Sequence, residues 1–215
     1  MNAKMIELTR KFVKESLPSD PTGHDFQHAE RVYRNSLFIA KNEKTTDIFV
    51  VKLASLLHDI ADFKFHNDEK KGGKVARIWL EKNKVEPKII DKVVQIIDSI
   101  SFRGGLNPPM IGLEGKIVQD ADRLDALGAI GIARAFAYGG FKKREIYNPK
   151  IRPQKYKSLR QYKNNNGTTI NHFYEKLLLL KDNMNTNTGK RMALKRHKFL
   201  EDYLKQFYRE WDGLS

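Results

Sequence analysis

Six histidines carry most of the chemistry this chain offers: His24, His28, His58, His66, His172 and His197. An imidazole binds metal only where the fold brings it to other donors, so acidic company decides which of the six matter. His58 is followed directly by Asp59 at the end of an apolar run, Leu56-Leu57-His58-Asp59-Ile60. Burying an adjacent imidazole and carboxylate costs several kcal/mol unless something satisfies them, and a divalent cation does so directly. A His-Asp pair recurs by chance, but two further clusters single this one out. Upstream, Gly23-His24-Asp25-Phe26-Gln27-His28-Ala29-Glu30-Arg31-Val32 opens an amphipathic pattern with His24 and His28 four apart. Downstream, Val118-Gln119-Asp120-Ala121-Asp122-Arg123-Leu124-Asp125 places three carboxylates inside an otherwise apolar helical pattern.

The elements that must position these groups are helical. Met5, Leu8, Phe12 and Val13 share one side of residues 4–16, and Phe26, Val32, Tyr33, Leu37 and Ile39 recur at helical spacing over 26–40. Residues 48–58 are apolar almost all round, as expected of a central helix. Further helices are expected over 74–83, 87–100 and, as one long stretch, 114–137. A helix capped by Thr168 and Thr169 carries Ile170, Phe173, Leu177 and Leu180, and a last one carries the stripe Leu200, Tyr203, Leu204, Phe207 and Trp211. No segment alternates as a strand does, so the expected class is all-α, without internal repeats.

The chain has 215 residues, long enough to bury about 70% of its extended surface without disulfide or structural metal. Cysteine is absent, which excludes thiolate nucleophiles, Cys-ligated zinc and iron–sulfur clusters. The N-terminal residues lack the apolar core of a signal peptide, and no apolar run is long enough to span a membrane; a cytoplasmic protein is expected. Lys and Arg number 40 against 26 Asp and Glu, a formal net charge of +14. Most of that charge is lysine scattered over solvated faces. One segment is denser: Lys142, Lys143, Arg144, Lys150, Arg152, Lys155, Lys157, Arg160 and Lys163 between Phe141 and Lys163, with Glu145 the sole acid and Tyr147, Tyr156 and Tyr162 interleaved. Pro149, Pro153 and Asn164-Asn165-Asn166-Gly167 favour a loop or flap there, with Gly139-Gly140 as its hinge. Such a segment gathers phosphates, whether of a small nucleotide or of a nucleic acid whose bases stack on the tyrosines.

In order along the chain, His28, His58-Asp59 and Asp122 resemble the H…HD…D signature of the HD-domain metal-dependent phosphohydrolases. The strings His58-Asp59-Ile60-Ala61-Asp62-Phe63-Lys64-Phe65, Ser99-Ile100-Ser101-Phe102-Arg103-Gly104-Gly105 and Gln119-Asp120-Ala121-Asp122-Arg123-Leu124-Asp125-Ala126-Leu127-Gly128-Ala129-Ile130-Gly131 resemble the small bacterial YedJ/YpgQ type. The similarity runs on into His172-Phe173-Tyr174-Glu175, covering nearly the whole chain. It implies an HD-domain helical bundle with a C-terminal helical extension, divided into a metal-binding core over 20–137, the basic loop over 138–167 and C-terminal helices over 168–213. It implies His28, His58, Asp59 and Asp122 as ligands of one divalent ion, manganese favoured over Mg²⁺, Fe²⁺, Co²⁺, Ni²⁺ or Zn²⁺. Asp120 rivals Asp122 as the last ligand, and Asp120 and Asp125 are otherwise candidates to support the ligands.

Two imidazoles and two carboxylates leave a six-coordinate ion with positions for water or a substrate oxygen. Such an ion polarises a phosphoryl oxygen and lowers the pKa of water from 15.7 towards about 7–9. By resemblance, Asp62 is the acidic group that positions or deprotonates the attacking water, or protonates the leaving group. Lys64 and Arg123 are candidates to neutralise phosphate during the reaction, and His24, Arg31, Lys142, Lys143 and Arg144 to bind it. The expected function is hydrolysis of a nucleotide, foremost a nucleoside or deoxynucleoside triphosphate with release of pyrophosphate, and a homodimer is compatible with the chain. Alternatives are a nucleic-acid-binding module or phosphodiesterase using 141–163, and hydrolysis of guanosine tetraphosphate or of a nucleoside monophosphate. The Glu-Asp pair usual in tetraphosphate hydrolases is reduced here to Asp62 before Phe63. His66 is expected at the mouth of the site or in solvent, His172 in helix-start packing and His197 on the surface among Lys195, Arg196 and Lys198.

Overall fold

In the computed structural model, residues 2–17, 19–45, 47–60, 71–100, 109–155, 161 and 167–214 are described. They form helices α1 (Asn2–Ser16), α2 (Phe26–Glu43), α3 (Ile48–Leu57), α4 (Lys71–Lys82), α5 (Pro87–Ile100), α6 (Leu113–Asp125), α7 (Gly128–Phe141), α8 (Thr169–Glu175) and α9 (Asn187–Trp211), with a 3-10 helix over Leu177–Asn183 between the last two. No strand occurs among the described residues, in agreement with the all-α expectation.

Three helices make the centre. α2 packs against α3 and α6, and α3 also touches α1, α5 and α6. The reason lies in α3, whose Val50, Val51, Leu53, Ala54, Leu56 and Leu57 are fully buried. Burial of each such Val or Leu contributes about 1.5–3 kcal/mol, so α3 is driven inward by nearly every side chain it has. The Asp47 side chain caps its start by accepting from Val50 N. α2 begins under Asp25, which accepts from His28 N at 3.0 Å, and ends where Lys44 adopts a left-handed conformation (φ 54°). Ala29, Val32, Ile39 and Ala40 form its buried stripe.

The expected single helix over 114–137 is two helices. The chain turns at Ala126 and Leu127 and enters α7 through Gly128, whose φ of +70° suits glycine and where a Cβ would lie 3.3 Å from Arg196 side-chain atoms. Arg196 of α9 in turn donates to the Leu124 carbonyl at 2.5 Å, an acceptor at the end of α6 that also takes Leu127 N at 3.1 Å. A second expectation fails at Gly139-Gly140: both lie inside the last turn of α7. Gly139 is there for close approach, since a Cβ would collide with Thr169 Oγ1. The pair is therefore no hinge.

His197, expected at the surface, is only 6% exposed. It follows Ala193 by four residues and precedes Leu200 and Leu204 by three and seven, and all three of those are buried; the helical phase of α9 outweighs its basic neighbours in sequence. The basic segment is tied down where it is described. Thr169 N donates to the Glu145 carbonyl at 2.9 Å and Ile170 N to the Ile146 carbonyl at 3.0 Å. Tyr147 packs its ring on Phe207, Tyr208 and Trp211 at centroid distances of 5.8, 5.4 and 5.0 Å. That ring is committed to the fold and is not offered to bases; Tyr156 and Tyr162 lie outside the described residues.

Candidate metal centre

Each central helix contributes one end or face to a single point. His28 leaves the first turn of α2, His58 and Asp59 follow the last turn of α3, and Asp122 leaves the inner part of α6. His28 Nε2 lies 3.1 Å from His58 Nε2, 3.3 Å from Asp59 Oδ2 and 3.4 Å from Asp122 Oδ1. His58 Nε2 lies 3.7 Å from Asp59 Oδ2 and 3.8 Å from Asp122 Oδ1. The imidazoles are 1% exposed, whereas the Asp59 and Asp122 side chains are 17% and 29% exposed. The cluster is thus sealed on the histidine side and open on the carboxylate side.

The far nitrogens of both rings are engaged. His58 Nδ1 donates to the Ser55 carbonyl at 2.9 Å, and His28 Nδ1 donates to Asp125 Oδ2 at 2.7 Å. A carbonyl and a carboxylate only accept, so the Nδ1 atoms carry the protons. Neutral rings then aim Nε2 lone pairs at each other and at two carboxylates. Four converging acceptors repel unless a proton or cation lies among them. Without metal the proton takes that place: burial pushes the His28 imidazole down, but Asp122, Asp125 and Asp59 raise it to about 10. Burial likewise disfavours charge on Asp122, yet the two imidazoles hold its pKa at about 2. The nitrogen and oxygen donors fit one divalent ion, with ligand atoms of His28, His58 and Asp59 all within 4.8 Å of one another.

Asp120 is turned away from this cluster. Its carboxylate, fully buried, accepts from Asn185 N and Nδ2, Thr186 N and Thr186 Oγ1, each at 2.8 Å. Asp125 instead lies behind His28. Arg31 donates to it from Nε at 2.7 Å and Nη2 at 3.0 Å, and Arg134 from Nη1 at 2.8 Å.

The other expected site residues divide. His24 adjoins the cluster, its ring centroid 6.1 Å from that of His28 and its Nδ1 3.0 Å from Thr22 Oγ1. The Tyr138 ring stands 6.4 Å from His24, with Lys142 Nζ and Arg144 Cζ over it at 5.8 and 5.7 Å. Lys143 follows in a left-handed conformation. Arg31 is occupied by Asp125, and Arg123 donates to the Asn183 carbonyl, its pKa lowered by burial. Asp62, Lys64, His66 and Gly104-Gly105 lie outside the described residues. Two neighbours of the site, Arg134 and Tyr138, are not singled out by the sequence motifs. Arg134 had a visible signal: it is the one charged residue of α7, in Ala-Arg-Ala-Phe.

Comparison with known proteins identifies the family. The HD domain family matches residues 25–127, a span that begins at the α2 cap and ends just past Asp125. The uncharacterized protein YpgQ of Bacillus subtilis is 35% identical over 99% of this chain and 96% of its own length. The crystal structure of an HD-superfamily hydrolase from Bacillus thuringiensis superposes with a TM-score of 0.77 at 43% identity, covering 99% of both chains. That of B. subtilis YpgQ in complex with ADP superposes with a TM-score of 0.76 at 33% identity, covering 95% of this chain and 97% of that one. Among the described residues no helix is long and apolar enough to cross a membrane. A relative matched along almost its entire length, around a histidine and aspartate cluster within the matched span, places this chain in the HD-domain family as a metal-dependent phosphohydrolase of the YpgQ type.

Proposed function

We propose that the protein hydrolyses nucleoside or deoxynucleoside triphosphates at the α-phosphorus, leaving the monophosphate and releasing pyrophosphate. The reading rests on one juxtaposition. His24 stands beside His28, Tyr138 beside His24, and the cations Lys142 and Arg144 over the Tyr138 ring, a chain of contacts that links the metal centre to two positive charges. A monophosphate has no need of that reach, while a triphosphate places its outer phosphates some ångströms from the reacting one. The ADP complex of B. subtilis YpgQ supports a nucleotide ligand.

In this proposal His28, His58, Asp59 and Asp122 hold one divalent ion, manganese by preference, which when bound supplies Lewis-acid polarisation of phosphoryl oxygen and acidifies water. His24, Lys142, Lys143 and Arg144 bind the polyphosphate, since Arg31 and Arg123 are held by Asp125 and the Asn183 carbonyl. Asp62 takes the proton of the attacking water, and Lys64 offsets charge on the leaving group. Overall a water oxygen bonds to the α-phosphorus, the bond from that phosphorus to the bridging oxygen breaks, and pyrophosphate departs with that oxygen. Incubating the protein with a nucleotide panel in Mn²⁺ or Mg²⁺, with products identified by mass and phosphorus NMR, tests this. Equal yields of pyrophosphate and monophosphate are expected. Orthophosphate released from the terminal position, or preferred turnover of guanosine tetraphosphate or monophosphates, overturns it.

A further inference from the structure

We infer that Asp125 is a positioning residue: it locks His28 in the tautomer that presents Nε2 to the metal, and Arg31 and Arg134 lock Asp125. The inference rests on His28 being a ligand and goes beyond it. Asp125 follows Asp122 by three residues on α6, so both leave the same side of the helix, one at the cluster and the other behind it. It is 1% exposed and accepts from three different side chains, His28, Arg31 and Arg134. A carboxylate needing only charge balance is satisfied by one arginine. Here two arginines bracket it, and its Oδ2 still takes His28 Nδ1 at 2.7 Å.

Each arginine restricts a different motion. The Arg31 fork engages both carboxylate oxygens and so fixes the plane of the group. Arg134 reaches Oδ2 from α7 and is itself packed against Gly23, whose φ is +78° and where a Cβ would approach Arg134 Cγ to 3.0 Å. The Asp125 carboxylate is therefore held from α2 and α7 at once, and with it the orientation of the His28 ring. Partners of this kind behind a metal-bound histidine typically change metal affinity about 10–100-fold when removed.

The test compares two buried aspartates of α6. Mn²⁺ affinity is measured by titration calorimetry for wild type, Asp125→Asn, Asp120→Asn, Arg134→Gln and His28→Ala, with helical content checked by circular dichroism. Asp125→Asn is expected to weaken Mn²⁺ binding about 10–100-fold and Arg134→Gln by less, while Asp120→Asn stays within about twofold of wild type. In the Zn²⁺-loaded wild type, long-range ¹H–¹⁵N NMR is expected to find the His28 proton on Nδ1, far downfield. Asp125→Asn binding Mn²⁺ as wild type does, when His28→Ala does not, overturns the role of Asp125 alone. Binding retained by His28→Ala overturns the ligand assignment beneath it. A His28 proton on Nε2 in the loaded wild type overturns the inference even if Asp125→Asn fails to fold.

Discussion

Asp120 and Asp122 leave the same helix two residues apart and serve opposite sides of it. Successive residues of a helix are about 100° apart, so the two carboxylates diverge by roughly 200°. Asp122 turns to His28 and His58; Asp120 turns to the start of α9, where Thr186 is the capping residue and Gly189 N donates to its hydroxyl. Gly189 leaves room for this, because a Cβ there would collide with Asp120 Oδ2.

Truncating Asp120 therefore separates stability from chemistry. Asp120→Ala strands the buried donors of Asn185 and Thr186 and is expected to cost about 2–4 kcal/mol, roughly 10 °C in melting temperature. Urea or thermal unfolding measures it. Metal content per folded molecule should stay at the wild-type value.

The opposite pattern is expected at the cluster. His58→Ala and Asp122→Ala remove donors from the converging set and should lose metal and metal-dependent hydrolysis together, by more than the about 10–100-fold typical of an outer partner. Because α3 is held by its apolar residues, the helical circular dichroism signal should persist. Full turnover in either variant contradicts the ligand assignment.

Metal uptake should release a proton from His28. Its imidazole, with a pKa of about 10 in the metal-free fold, is charged at pH 7–8 and must become neutral to coordinate. Affinity is expected to rise about tenfold per pH unit over that range. Calorimetry in buffers of different ionisation enthalpy reads the proton count, and a count of zero refutes the mechanism. The same shift has a consequence for the metal-free protein. Since the folded pKa lies above the unfolded 6.5, its stabilising effect is complete below about 6.5 and is lost as pH rises through about 10. Thermal scans of chelator-treated protein between pH 7 and 10 should show that decline.

Neutralising Lys142 and Arg144 tests the polyphosphate reading. The double substitution to alanine is expected to raise KM for a triphosphate about tenfold, with kcat little changed and a flatter dependence of kcat/KM on salt. Steady-state kinetics at two ionic strengths decides it. A change in kcat alone argues that these residues act elsewhere.

Several features were legible in the residues themselves. The 3.6-residue period announced α1 to α5 within a few residues, because an amphipathic stripe is a local property of the chain. The order His28, His58-Asp59, Asp122 was legible as a resemblance to the HD signature, which implied those side chains as the candidate donors while leaving Asp120 a rival to Asp122. Other features required the packed molecule. Helical phase shows that Asp120 and Asp122 point apart but not which of them meets His28, since that depends on where α2 and α9 lie around α6. The same limit hid the break at Gly128, which answers to Arg196 far along the chain, and the partnership of Arg31, Arg134 and Asp125, drawn from three helices. Sequence alone determined the helical class and the atoms available for chemistry. Tertiary structure decided which of those atoms converge, because convergence depends on how helices distant in sequence pack together, and no single helix carries that information.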